Sequence, residues 1–129
     1  MASKNEVITS KNAPKAVGPY SLGIRSGDFL FLSGQLGLDP ATGDFVEGGV
    51  EEQTKQALKN IQNVLKDNGA GLGDVVKTSV FLSDIHDFPK MNAVYATFFK
   101  NDPPARSTMQ VGALPKLGLV EIEVIARIG

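Results

Sequence analysis

The chain has 129 residues, is 42% apolar and carries a formal net charge of −1. These values fit one globular domain with a real core, and they argue against disorder and against a basic nucleic-acid binder. With no cysteine, disulfides, thiolate metal sites and a Cys nucleophile are excluded, and a cytosolic setting is the default expectation.

The N-terminus, MASKNEVITSKNAPKA, has no apolar h-region and is not Arg-rich, so it reads as neither a secretory signal nor a transit peptide. It predicts a loose polar arm with one short strand around Val7 and Ile8. Residues 20–34 read as a hairpin turning at Ser26-Gly27-Asp28, and LDPATGD (38–44) is a second turn cluster. The stretch from Val50 carries Ala57, Leu58, Ile61, Val64 and Leu65 at helical spacing, with Asn68-Gly69 as its stop. VVKTSVFLS (75–83) is a strand, enriched in Val and Phe. A second helix follows over 89–100, with Pro89 in its first turn and Met91, Val94, Tyr95 and Phe98 as its apolar stripe. Asp102-Pro103-Pro104 ends it, and two final strands, STMQVG and LVEIEVIARI, are joined by ALPKLG. From the hairpin onward the order is β-β-α-β-α-β-β, which predicts an α+β domain: a mixed sheet with both helices on one face. No run of the chain is apolar enough to span a membrane.

Alternation assigns the sheet faces. Val120, Ile122, Val124, Ala126 and Ile128 should face the helices, as should Val76, Thr78, Val80 and Leu82, and Ser107, Met109 and Val111. The helix-free face would then carry Arg106, Thr108, Glu121 and Glu123 beside Phe81, Ile125 and Phe29 or Phe31. Such a patch suggests a closed homo-oligomer. If 113–118 closes an antiparallel hairpin, Thr108 lies opposite Glu123 and Gln110 opposite Glu121. One rigid hairpin would then present a guanidinium, a hydroxyl and carboxylates. That set suits capture of a substrate carboxylate by Arg106 and activation of water by a glutamate. A cross-strand Arg–Glu pair at a subunit interface fits the same spacing.

Other candidates carry less. His86 stands alone in a polar loop, so no His-based metal site can be built. Gly69-Ala70-Gly71-Leu72-Gly73 follows a helix and lacks the Lys-Ser/Thr of a phosphate loop. Tyr20 reads as a turn residue covering core, and Ser33 has no base to make it a nucleophile.

Four stretches together resemble the YjgF/RidA family of reactive-intermediate (enamine/imine) deaminases: NAPKAVGPYS (12–21), FLSGQLGLDPATGD (31–44), VVKTSVFLSDIHDFPKMNAVYATFF (75–99) and PPARSTMQVGALPKLGLVEIEVIA (103–126). The last is the most specific. The resemblance implies a chorismate-mutase-like α+β fold and a homotrimer with active sites between subunits. It implies hydrolysis of 2-imino acids, released by pyridoxal-phosphate enzymes, to 2-oxo acids and ammonia, without metal or cofactor. It assigns the carboxylate-binding arginine to Arg106 and the water-activating glutamate to Glu121. Tyr20, Ser33 with Gly34, and Asn92 on the second helix match the family's pocket residues. Thr108 departs from the family pattern, since many deaminase members have Cys there. Regulatory small-carboxylate binding and RNA cleavage, both linked to relatives, are the alternatives; no basic stripe or base-stacking platform favours the latter.

Overall fold

The computed structural model describes residues 5–129, so Met1 to Lys4 of the expected arm lie outside the described residues. Six strands, β1 (Asn5–Ile8), β2 (Gly23–Ser26), β3 (Phe29–Leu36), β4 (Val75–Leu82), β5 (Ala105–Gln110) and β6 (Val120–Arg127), form one sheet in the order β1-β2-β3-β6-β4-β5. Helices α1 (Val50–Asp67) and α2 (Phe88–Phe98) pack together, and α1 lies on β3 and β6. The β2–β3 turn is the expected one: Ser26 pairs with Phe29, and Gly27 takes φ +59°, a conformation glycine adopts without a Cβ penalty.

The core forms where the periodicities place it. Ala57, Leu58, Ile61, Val64 and Leu65 of α1 and Met91 and Tyr95 of α2 bury against Leu30, Leu32, Val80, Leu82, Val120, Ile122, Val124 and Ala126. At the start of β4 a register shift between Val75 and Lys77 buries Val75 and exposes Val76, reversing the expected pair.

The last two strands differ more deeply from expectation. They do not form a hairpin. β4 lies between them, antiparallel to β6 and parallel to β5. The β4–β5 register pairs Thr78 with Arg106, Val80 with Thr108 and Leu82 with Gln110. Thr78, Val80 and Leu82 face the helices, so Arg106, Thr108 and Gln110 do too. Ser107 and Met109 take the other face. The expected sharing of one face by Arg106, Thr108, Glu121 and Glu123 is therefore overturned. A crossover through α2 permits parallel pairing, and alternation within a strand does not say which neighbour it meets.

The helix-free face is mixed as expected, with Phe29, Phe31 and Met109 exposed. Part of it is roofed by loops. Leu36, Leu38 and Leu114 form a second small core with Phe45, Phe81 and Val111. Among the described residues, no helix is long and apolar enough to cross a membrane.

Candidate active site

The helix-free face carries a cleft of about 360 Å³. The arm before β2 supplies Val17 and Tyr20, the end of β3 supplies Ser33 and Gly34, and β6 supplies Glu121 and Glu123. A bulge makes this geometry possible. Between Leu32 and Gln35 strand β3 has one residue more than β6 opposite, which re-aims Ser33 and Gly34.

Gly34 is glycine for a reason visible in the packing. A Cβ there would lie 2.8 Å from Glu121 Cδ and 2.9 Å from its Cγ, so the glutamate side chain would have to move. The Glu121 side chain thus rests directly on the Gly34 backbone. Glu121 is half-buried, and burial first, then the neighbouring Glu123 charge, raises its carboxyl above the ordinary carboxylate range. Glu123 is exposed.

Ser33 donates its hydroxyl proton to Ser21 O at 2.6 Å, and its N–H to Leu22 O at 2.9 Å. It clips the arm to β3. Tyr20 is 46% exposed, with its hydroxyl accepting from the Val17 N–H at 3.4 Å. It lines the cleft instead of covering core.

Two polar residues of α1 that sequence reasoning passed over shape the cleft from behind. Asn60, fully buried, donates to Leu38 O at 2.9 Å and Leu36 O at 3.2 Å. Gln53 Oε1 accepts from Leu119 N–H at 2.9 Å. They fix the exit of β3 and the entry of β6. The signal was available: Gln53 and Asn60 occupy stripe positions with Ala57 and Val64, where a polar residue needs partners.

Arg106 stands elsewhere. On edge strand β5, its Cζ lies 4.7 Å from the Tyr95 ring centroid and 5.4 Å from that of Phe88. Among the described residues its guanidinium enters no ion pair. Tyr95 is steadied by a 2.8 Å hydrogen bond with Thr78 Oγ1, and burial pushes its hydroxyl pKa up. Asn92 is half-buried on the α2 face of Phe88 and Tyr95, four residues after one and three before the other. Thr108 lies two residues along β5, its hydroxyl buried without a hydrogen-bond partner. Arg106, Thr108 and Asn92 thus gather on the helix side of the sheet edge, while Tyr20, Ser33, Gly34 and Glu121 gather in the cleft. Within one chain the two groups occupy opposite faces.

His86 lies on the surface, 2.8 Å from Asp84. Among the described residues no group of three or more His, Cys, Asp or Glu could hold a metal ion.

Comparison with known proteins agrees with this architecture. The family described as Endoribonuclease L-PSP matches residues 10–128. A RutC family protein of Pyrococcus horikoshii is 50% identical over 94% of this chain and 96% of its own length. The mouse protein named 2-iminobutanoate/2-iminopropanoate deaminase is 48% identical over 94% of this chain and 90% of its own. A solved Rid-family structure, YyfA from Yersinia pestis, superposes with a TM-score of 0.93 at 49% identity, over 96% of this chain and 99% of that one.

Proposed function

The chain belongs to the YjgF/RidA family, and from that premise we propose that it hydrolyses 2-imino acids to 2-oxo acids and ammonia, at sites completed by a second copy of the chain. One observation carries the second half of this reading. Arg106 presents its fork at the sheet edge, and Glu121 waits in a cleft on the opposite face, so a single chain cannot bring both to one small substrate. Repeated contacts between copies, in a homotrimer, would bring the arginine edge of one to the cleft of the next.

The chemistry then needs three things: a held carboxylate, an activated water and a route for protons. Arg106 binds the substrate carboxylate through two parallel N–H···O bonds. Glu121 takes a proton from water as its oxygen bonds to the imine carbon. The imine reacts in its N-protonated form, so the carbon–nitrogen π electrons move to a cationic nitrogen and give a neutral carbinolamine. Glu121 returns the proton to nitrogen. As the carbon–nitrogen bond breaks, the hydroxyl gives its proton back to Glu121 and its electron pair closes the carbonyl. The 2-oxo acid and ammonia leave, and the carboxyl then hands that proton to ammonia or solvent. A carboxyl pKa above the ordinary range suits a group that must accept and return a proton near neutrality. The cleft's apolar wall, with Val17, Leu22 and Leu36, suits a short aliphatic substituent.

The test generates the imine in situ with a dehydratase and follows release of the 2-oxo acid. The wild type should accelerate release. Arg106→Ala should lose about 10²–10⁴-fold, as expected for two charge-assisted hydrogen bonds at about 1.5–3 kcal/mol each. Arg106→Lys should recover little, since a point charge lacks the fork. A near-normal rate in Arg106→Ala would sink the assignment. Binding of small carboxylates without any turnover would instead support a regulatory role.

A further inference from the structure

We propose that Asp67, at the last turn of α1, is a positioning residue for the cleft: it anchors the arm whose next residues form one cleft wall. The consequence for turnover rests on the deaminase reading above; the anchoring does not.

Residues 9–22 run between β1 and β2 without joining the sheet. Their first half is tied to the end of α1. The Ser10 hydroxyl donates to Asp67 Oδ2 at 2.6 Å, and Asn12 Nδ2 donates to the same carboxylate at 3.0 and 3.3 Å. Asn63 Nδ2 donates to Asn12 O at 2.9 Å, and Asn68 Nδ2 to Thr9 O at 3.0 Å. The expectation of a loose arm fails over these residues for that reason. Ala13 and Pro14 then bury, and Val17 and Tyr20 enter the cleft lining. The chain is clipped again only at Ser21 O and Leu22 O, both held by Ser33.

The wall therefore hangs between two anchors. Among the described residues, the hydrogen bonds of 15–20 are local, Tyr20 N–H to Gly18 O and Val17 N–H to the Tyr20 hydroxyl. Among the described residues, no hydrogen bond within the span ties it to the strand that carries Glu121. Asp67 accepts from two arm residues at once, and these bonds hold its carboxyl below the ordinary carboxylate range, the Ser10 bond most and the Asn12 bond next. Among the described residues, the hydrogen bonds of the Asp67 side chain come from Ser10 and Asn12, neither of which lines the cleft. Its effect on chemistry must therefore travel through the arm.

Asp67→Ala and Asp67→Asn are compared with wild type by trypsin cleavage after Lys11 and Lys15, by thermal midpoint, and by steady-state kinetics on in-situ imine. In Asp67→Ala, cleavage after Lys15 should rise about tenfold or more, because a local opening is released while the global fold stays intact. The midpoint should barely move. KM should rise more than kcat falls, because a displaced wall weakens substrate placement. Asp67→Asn keeps an acceptor oxygen for Ser10 and should recover most of both effects. Wild-type cleavage rates in Asp67→Ala would overturn the anchor. Faster cleavage with unchanged KM and kcat would overturn its role in the cleft. A wild type that hydrolyses no imine would sink the deaminase reading, and proteolysis alone would then decide the anchor.

Discussion

The cleft around Glu121 and the edge around Arg106 are built on opposite plans. Glu121 sits on β6, bonded on one side to β3 and on the other to β4. Its carboxylate rests on Gly34, and its surroundings are fixed from behind by Asn60 and Gln53. Arg106 sits on β5, the last strand of the sheet, which has a partner on one side only. Its guanidinium carbon lies over two ring faces, and among the described residues no hydrogen bond from its N–H donors accompanies them. A base must be held still in a partly dry place, whereas a receptor for an anion must keep its donors free and reachable. On the proposed reading, the chain keeps the first inside its sheet and offers the second at its rim.

The sharpest way to break this comparison is to separate the two halves genetically. Arg106→Ala and Glu121→Gln should each be inactive alone, the latter by about 10²–10⁴-fold as for loss of a general base. Unfolded, mixed in equal amounts and refolded together, they should regain activity. Some assemblies then pair an intact arginine edge with an intact cleft, and random mixing leaves about a quarter of the sites whole. Mixtures no more active than either parent would show that both groups act from one chain.

Glu121 and Glu123 sharpen it further. Both line the cleft, but only Glu121 is half-buried and packed on Gly34. Glu123→Gln should keep turnover within a few-fold of wild type, with a larger effect on assembly than on kcat. Light scattering and the coupled assay, run on the same samples, check both halves. An inactive but fully assembled Glu123→Gln beside an active Glu121→Gln would reverse the assignment.

Element by element, the sequence was readable where local chemistry decides. Helical spacing marked α1 and α2, and Ser26-Gly27-Asp28 marked the first hairpin. The apolar row of β6 was also plain, because Val120, Ile122, Val124 and Ala126 alternate without a break. The pairing of β5 was not readable. Ser107, Met109 and Val111 look apolar enough for a core face, yet β5 is an edge strand. Its helix side is covered by Arg106, whose guanidinium carbon lies over two rings, and by half-buried Thr108. A long side chain can cover core with its carbons while showing its charge at the rim, so polarity misreports its face. Alternation picked out Arg106, Thr108, Glu121 and Glu123, though on a hairpin that does not form; the family resemblance chose Glu121 between the glutamates and added Tyr20, Ser33, Gly34 and Asn92. Their division between two faces required the strand order.

A middle-sized effect is expected at Gly34. Gly34→Ala would place a methyl 2.8 Å from Glu121 Cδ, so the carboxylate or the bulge must shift. The atoms in the way belong to the end of a flexible side chain, so the shift costs little stability and falls on the position of the carboxylate. Because the displaced group is the proposed base, kcat should fall at least tenfold, more than the thermal shift alone would suggest. Wild-type kcat with a lowered midpoint would mean that the carboxylate can move without consequence.

The smallest expected effect concerns stability against pH, and it probes the cleft without the arginine edge. Burial raises the Glu121 carboxyl above its unfolded value of 4.5, with the Glu123 charge adding to the rise. The folded chain therefore holds this proton more tightly than the unfolded chain does. The resulting stabilisation is complete below pH 4.5 and is lost as pH climbs through the raised folded value. Above that, an ionised carboxylate sits in a half-dry cleft beside a second negative charge. Glu121→Gln removes the ionisation and keeps the shape. Its thermal midpoint should exceed that of wild type modestly at neutral pH, and the gap should close as pH falls toward 4.5. Glu123→Gln should raise the wild-type midpoint by less, since it removes the secondary cause and leaves the burial. Melting both variants and wild type across this range, at low ionic strength, reads the difference directly. An arginine brought from a second copy would favour the ionised carboxylate and shrink the gap. Full-sized gaps in assembled protein would therefore place Arg106 too far from Glu121 to share a substrate with it.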